Sequence, residues 1–131
     1  MNPEEIKTQC ATIRLLTPDI IENIIHDHAT LEKENVLEIK AVNKQLSLGQ
    51  PYAVLVDGGT YTTISKEARE LSASKEFAQK TIAKALLVRN LGQRIVGQFY
   101  IKVNKPHIKT KIFSDREKAI EWLNRQINKS K

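Results

Sequence analysis

Between Pro51 and Asp57 the chain runs Tyr-Ala-Val-Leu-Val, an apolar stretch without a polar interruption. A strand that is apolar on both faces must be covered on both faces, so it belongs at the centre of a sheet with helices on either side. Asp57-Gly58-Gly59 closes it with turn chemistry, and Ser65 can cap a following helix that carries Glu67 and Glu70 in its early turns. Tyr52–Leu71 therefore reads as the central strand-to-helix crossover of an α/β domain.

The remaining elements fall into place around it. Residues 12–16 and 20–25 are β-rich runs separated by Thr17-Pro18-Asp19, which predicts a hairpin. Ile20 and Ile24 share one face of the second run, and Ile21 and Ile25 share the other, so that strand too is covered on both sides. Thr30 is placed to cap a helix over 31–46 with Val36, Ile39, Val42 and Leu46 on its buried stripe, and Gly49 and Pro51 end it. Residues 82–88 form a strand that is apolar apart from Lys84, and Asn90 caps a helix over 91–103. Leu91, Ile95, Phe99 and Val103 recur along that helix as a core stripe, broadened by Val96 and Tyr100. Residues 111–113 give a last short strand. Ser114 and Glu117 form a capping box for a final helix over 115–127 that buries Ala119, Ile120, Leu123 and Ile127, with Trp122 at its edge and a frayed tail at 128–131.

The chain has 131 residues, the size of one domain, and we assign 1–131 to a single domain. Its one cysteine, Cys10, excludes an intramolecular disulfide and fits a reducing, cytoplasmic setting. The polar start lacks the apolar region of a secretory signal, and no apolar run approaches the ~20 residues of a membrane helix, so no membrane insertion is expected. Net charge is +6, and it is uneven: residues 1–65 hold 5 Lys/Arg against 9 Asp/Glu, and residues 66–131 hold 16 against 6. The basic residues are spread over amphipathic elements without interleaved aromatics, so nucleic acid is not the expected partner.

The hairpin, the YAVLVDGG strand, the Ser65 helix, the IAKALLV strand and the closing NKPHIKTKIFSDREKAIEWL together resemble a bacterial group of SpoIIAA-like proteins. These are small STAS-type domains, similar in fold to Sec14/CRAL-TRIO lipid-binding modules. The resemblance runs from about residue 11 to 127 and implies a SpoIIAA-like (STAS-type) mixed sheet of about five strands, an N-terminal hairpin followed by alternating strands and helices. It implies a non-catalytic regulatory or protein-interaction module, or alternatively a small-molecule, lipid-like carrier. In anti-sigma-factor antagonists of STAS type a serine in an Asp-Ser-Ser-Gly context is phosphorylated. This chain has Asp57-Gly58-Gly59-Thr60 in the corresponding region and no Asp-Ser-Ser-Gly.

Candidate sites are few. Thr60, Thr62, Thr63 and Ser65 cluster after the central strand, where they either accept phosphate or an anion beside helix N-terminal amides, or hold the turn and cap the helix. Leu91, Ile95, Val96, Phe99 and Tyr100 are candidates for a homodimer interface or for the lining of a pocket. His26 and His28 alternate on a strand end, but a zinc site needs three or four ligands and His107 stands alone, so no metal is assigned. Cys10 has no evident base and reads as a small packing residue. No catalytic residue and no cofactor are expected: the chain contains no G-x-S-x-G, G-x-x-x-x-G-K-[ST] or G-x-G-x-x-G. A protein partner is the expected one.

Overall fold

The computed structural model describes residues 5–131; the polar start at residues 1–4, read above as part of a sequence without a secretory signal, lies outside them. Alternating coverage of the strands sets the architecture. The main sheet has six strands in the order β1 (Glu5–Lys7), β2 (Ala11–Thr17), β3 (Ile20–Ile25), β5 (Tyr52–Asp57), β7 (Thr81–Leu87), β8 (Thr110–Phe113). The first three strands pair antiparallel and the rest parallel, as the hairpin and the later alternation predict. The sixth strand is β1, a short polar edge with no apolar pattern to announce it. A separate parallel pair, β4 (Thr30–Leu31) with β6 (Thr63–Ile64), ties the two segments that leave the sheet after β3 and β5.

One face of the sheet is closed by α4 (Arg116–Ser130). Ala53, Leu55, Ala83, Ala85 and Leu87 project to this side and meet Ala119, Trp122, Leu123 and Ile127. The alanines let the helix sit close. Leu123 is fully buried, which contributes roughly 1.5–3 kcal/mol. Trp122 is a core residue here and not an edge one, since the helix turns its ring onto Phe113 with centroids 5.6 Å apart. The opposite face carries α1 (Lys33–Leu46), α2 (Lys66–Ala73) and α3 (Leu91–Phe99), the last continued by a π-helical turn over Tyr100–Asn104. Ile13, Ile21, Ile39, Leu46, Tyr52 and Val54 form the second core cluster on this side.

Several helix ends differ from expectation for one reason: a neighbouring polar side chain reaches the free amides better. Thr30 is taken into β4, so α1 starts later, with Glu32 and Asn35 forming a reciprocal capping box. At α4 the cap is Asp115, whose carboxylate accepts from the amides of Glu117 and Lys118, and Ser114 stands outside. The helix then runs to Ser130, through the tail expected to fray. Ser65 does cap α2, accepting from the Ala68 amide at 3.1 Å, and Asn90 caps α3, accepting from Gln93 at 2.8 Å.

The largest difference concerns α3. Its stripe of Leu91, Ile95, Phe99 and Val103 is not core: these residues are 71%, 55%, 46% and 58% exposed. Gly97 and Tyr100 form the buried side instead. A Cβ on Gly97 would come within 3.1 Å of the Ile112 side chain, so the glycine is what lets the helix approach β8. Close approach on the glycine side leaves the apolar side facing outward.

Candidate functional site

α1 packs over β2 and β3, and α3 packs against β8. The inner face of β5 and β7 between them is roofed but not filled. A cavity of about 800 Å³ lies there, bounded by the sheet, α1, α2, α3 and the turn after β5. Strand alternation decides what enters it. Ala53 and Leu55, and Ala83, Ala85 and Leu87, belong to the α4 core, so Tyr52, Val54 and Val56 on β5 and Lys84 and Leu86 on β7 face the other way, into the cavity. Val36 and Ile39 of α1, Ile25 at the end of β3 and Val96 of α3 complete an apolar wall.

The exposed residues of this lining sit together. Tyr61 on the turn and Thr63 on β6, with Asn90, Leu91, Gly92 and Val96 at the cap and along α3, are exposed, while the remainder is buried or half-buried. The cavity therefore opens between the turn and the first half of α3, at the C-terminal ends of the parallel strands, where ligands of open α/β sheets are usually received.

The deep end is basic. Lys84 Nζ makes no hydrogen bond and no ion pair among the described residues; it lies 5.7 Å from the Phe77 ring and 5.6 Å from the Tyr100 ring. Its accessible surface faces the cavity and protein surrounds it, so burial pulls its ammonium down to about 8. Lys40, projecting from α1, donates to the Gln79 carbonyl at 2.9 Å and the Thr81 hydroxyl at 2.7 Å, and lies 4.9 Å from the same Phe77 ring. Burial first, then the Lys84 and Lys44 charges, pull it to about 8 as well. The Tyr52 hydroxyl faces Thr81 and Asn43 without reaching hydrogen-bonding geometry with either. Asn23 and Asn43 satisfy each other through paired amides at 2.8 and 3.2 Å, and the Ser72 and Tyr100 hydroxyls are 2.9 Å apart. Lys40, Arg69 and Lys84 are the cations of the lining, and among the described residues no carboxylate lines it.

The hydroxyl cluster predicted from sequence lies at the mouth, though its members do different things. Thr60 donates its amide to Asp27 at 2.9 Å, the Thr62 hydroxyl donates to the Gly59 carbonyl at 3.4 Å, and Thr63 is exposed on β6 with its hydroxyl 3.5 Å from that of Thr30. Ser65 is occupied as the α2 cap. Gly59 seats this turn: a Cβ there would lie 2.6 Å from the carbonyl oxygens of both Ile25 and His26. Of the α3 candidates, Leu91, Val96 and Tyr100 line the cavity, while Ile95 and Phe99 face outward, Phe99 beneath the Arg69 guanidinium at 5.2 Å. His26 meets the Thr12 hydroxyl at 2.9 Å and His28 stacks on Tyr61, so the two rings serve separate contacts. Among the described residues no cluster of His, Cys, Asp and Glu is assembled for a metal, and no helix is long and apolar enough to cross a membrane. Cys10 is buried, with its thiol pushed up by burial and by the Glu38 charge.

On the α4 side Glu22 is 1% exposed and bridges Arg14 at 2.8 Å and Arg116 at 2.5 Å. Burial alone would raise its carboxyl, but the Arg116 and Arg14 hydrogen bonds overcome this and hold it below the usual value. Asp57 sits beside this cluster, 2.7 Å from Arg89, and burial raises it despite that partner. Neither carboxylate reaches the cavity.

Lys40 and Lys84, which line the cavity, are absent from the residues expected at a site, although the sequence carries a signal for both. Lys84 interrupts an otherwise apolar strand, and Lys40 follows Val36 by four residues and so shares its face.

No curated protein matches the sequence. Among solved structures the chain is similar to an uncharacterised protein from Shewanella loihica PV-4, of the DUF3478 family with a SpoIIAA-like fold. Identity is 14%, coverage is 93% of this chain and 92% of that one, and the TM-score is 0.48, a likeness too loose to carry function. The family model described as "Domain of unknown function (DUF7793)" matches residues 15–127, and the chain belongs to that family.

Proposed function

We propose that this protein is a non-catalytic, single-domain binding module whose cavity holds one small apolar or amphipathic molecule between the sheet and α1–α3. The observation that carries the reading is the size and lining of the space. About 800 Å³ falls in the range of ligand pockets, and its walls are Val, Ile and Leu with a few convergent polar groups. Catalysis has little to draw on, because the buried carboxylates are tied to arginines on the other side of the sheet. Native mass spectrometry after purification without detergent, with titration of an apolar fluorescent probe beside it, tests the reading. A retained small molecule, or saturable one-to-one probe binding that V56W abolishes, supports it. A bare chain mass together with no saturable binding contradicts it.

A regulatory, protein-interaction role is the second reading, favoured by the outward apolar side of α3. A homodimer in the cytoplasm through that helix, and phosphorylation of Thr60, Thr62, Thr63 or Ser65 at the mouth, belong to this reading. A phosphate there would add close to two negative charges at the entrance. Sedimentation of the wild type and of I95S/F99S distinguishes a dimer from a monomer, and phosphosite mapping in the source cells decides the switch.

A further inference from the structure

We infer that the ligand is an amphiphile with an anionic head, a carboxylate or a phosphate, seated on Lys84 with Lys40 beside it and with its chain directed to the mouth at Leu91. The inference rests on the binding reading above and goes beyond it in assigning charge and orientation. Three observations carry it.

The first is the imbalance of charge. Lys40, Arg69 and Lys84 line the cavity and, among the described residues, no Asp or Glu does. A cation in low dielectric is tolerated when it is paired, and an incoming anion is the partner this lining lacks.

The second is the difference between the two lysines. Lys40 already donates to Gln79 and Thr81, whereas Lys84 donates to nothing in the protein and is held only against the faces of Phe77 and Tyr100. All three of its donors are free for a ligand.

The third is the polarity of the space along the strands. Lys84 pairs with Val54 in the register of β5 and β7, and Val56 and Leu86 pair next, toward the mouth. From Val54 to Gly58 the strand rises about 13 Å, the span of a medium-length alkyl chain. A head at Lys84 therefore leaves the chain against apolar wall and its end at the opening. The reverse orientation would put the alkyl end on two ammonium groups.

Among the described residues, the titratable groups of the lining are Lys40 from α1, Tyr52 from β5, Tyr61 from the turn at the mouth, Arg69 from α2, Lys84 from β7 and Tyr100 from the π-helical turn. Of these the two lysines lose charge nearest neutrality, so anion binding weakens as pH rises beyond about 8.

The experiment is calorimetric titration of the full chain with decanoate, decyl phosphate, decanol and decyltrimethylammonium below their micellar concentrations, at pH 7 and pH 9.5. The inference expects one or both anions to bind at least tenfold tighter than decanol at pH 7, the preference to shrink at pH 9.5, and the cation to bind weakest. The better anion identifies the head. K84M should bring the anions to the level of decanol, and K84R should retain the preference; thermal melts establish that both are folded. Equal binding of decanoate, decyl phosphate and decanol by the wild type would overturn the head assignment and leave the cavity reading standing. Binding of none of the four would overturn both.

Discussion

Lys84 stands opposite Val54 in the parallel pairing of β7 with β5, a charged side chain level with a fully apolar one inside the same cavity. Holding an unpaired ammonium there costs folding energy, so K84M should stabilise the empty protein at pH 7 by roughly 1–3 kcal/mol. The pH dependence has a definite sign. The folded Lys84 titrates at about 8, below its unfolded value, so the unfolded chain binds more protons between the two and stability rises with pH there. The penalty is full below about pH 8 and lost as pH passes the unfolded lysine value of ~10.4. Urea denaturation at several pH values should show the advantage of K84M narrowing across that window.

Glu22 reverses that sign. Its folded carboxyl lies below the usual value, so its contribution is present above the unfolded value and lost as pH falls through the folded one. E22Q should destabilise the protein at pH 7 by about 1–3 kcal/mol, because a neutral amide replaces the acceptor of two guanidinium groups. The difference between wild type and variant should narrow progressively as pH falls from 7 through the carboxylate range, read as urea midpoints along an acid series.

Gly58 and Gly59 are adjacent and should respond differently. At Gly58 an added Cβ meets nothing closer than 3.8 Å, whereas at Gly59 it meets two backbone carbonyl oxygens at 2.6 Å that have no room to yield. G58A should leave the melting temperature nearly unchanged. G59A should lower stability by roughly 2–4 kcal/mol and displace the turn that frames the mouth, an overpacking effect at the upper end of the usual range.

How much of this was legible beforehand depended on whether one periodicity decided the matter. Tyr52–Val56 could only be a strand covered on both sides, and the split of Ile20 and Ile21 between two cores follows from the same alternation. The cap at Ser65 was readable because it is local. α3 was not readable in the same way. Its apolar stripe identified the helix correctly but not the side that packs, because Gly97 sets the approach to Ile112 and a glycine contributes nothing to a hydrophobic count. The cavity is a consequence of that choice of face: Lys84 stands out in the sequence as the charge in an apolar strand, but the space it faces is set by the neighbouring strands and the helix above it.

Binding of an apolar chain in this space, and not in the α4 core, is read site by site by methyl-labelled NMR with decanoate at pH 7. Saturable shifts are expected of the Val54, Val56, Leu86, Val96 and Ile25 methyls, with Leu55, Leu123 and Ile127 across the sheet nearly unmoved. Unmoved cavity methyls at saturating decanoate, or shifts centred on Leu123 and Ile127, would contradict it.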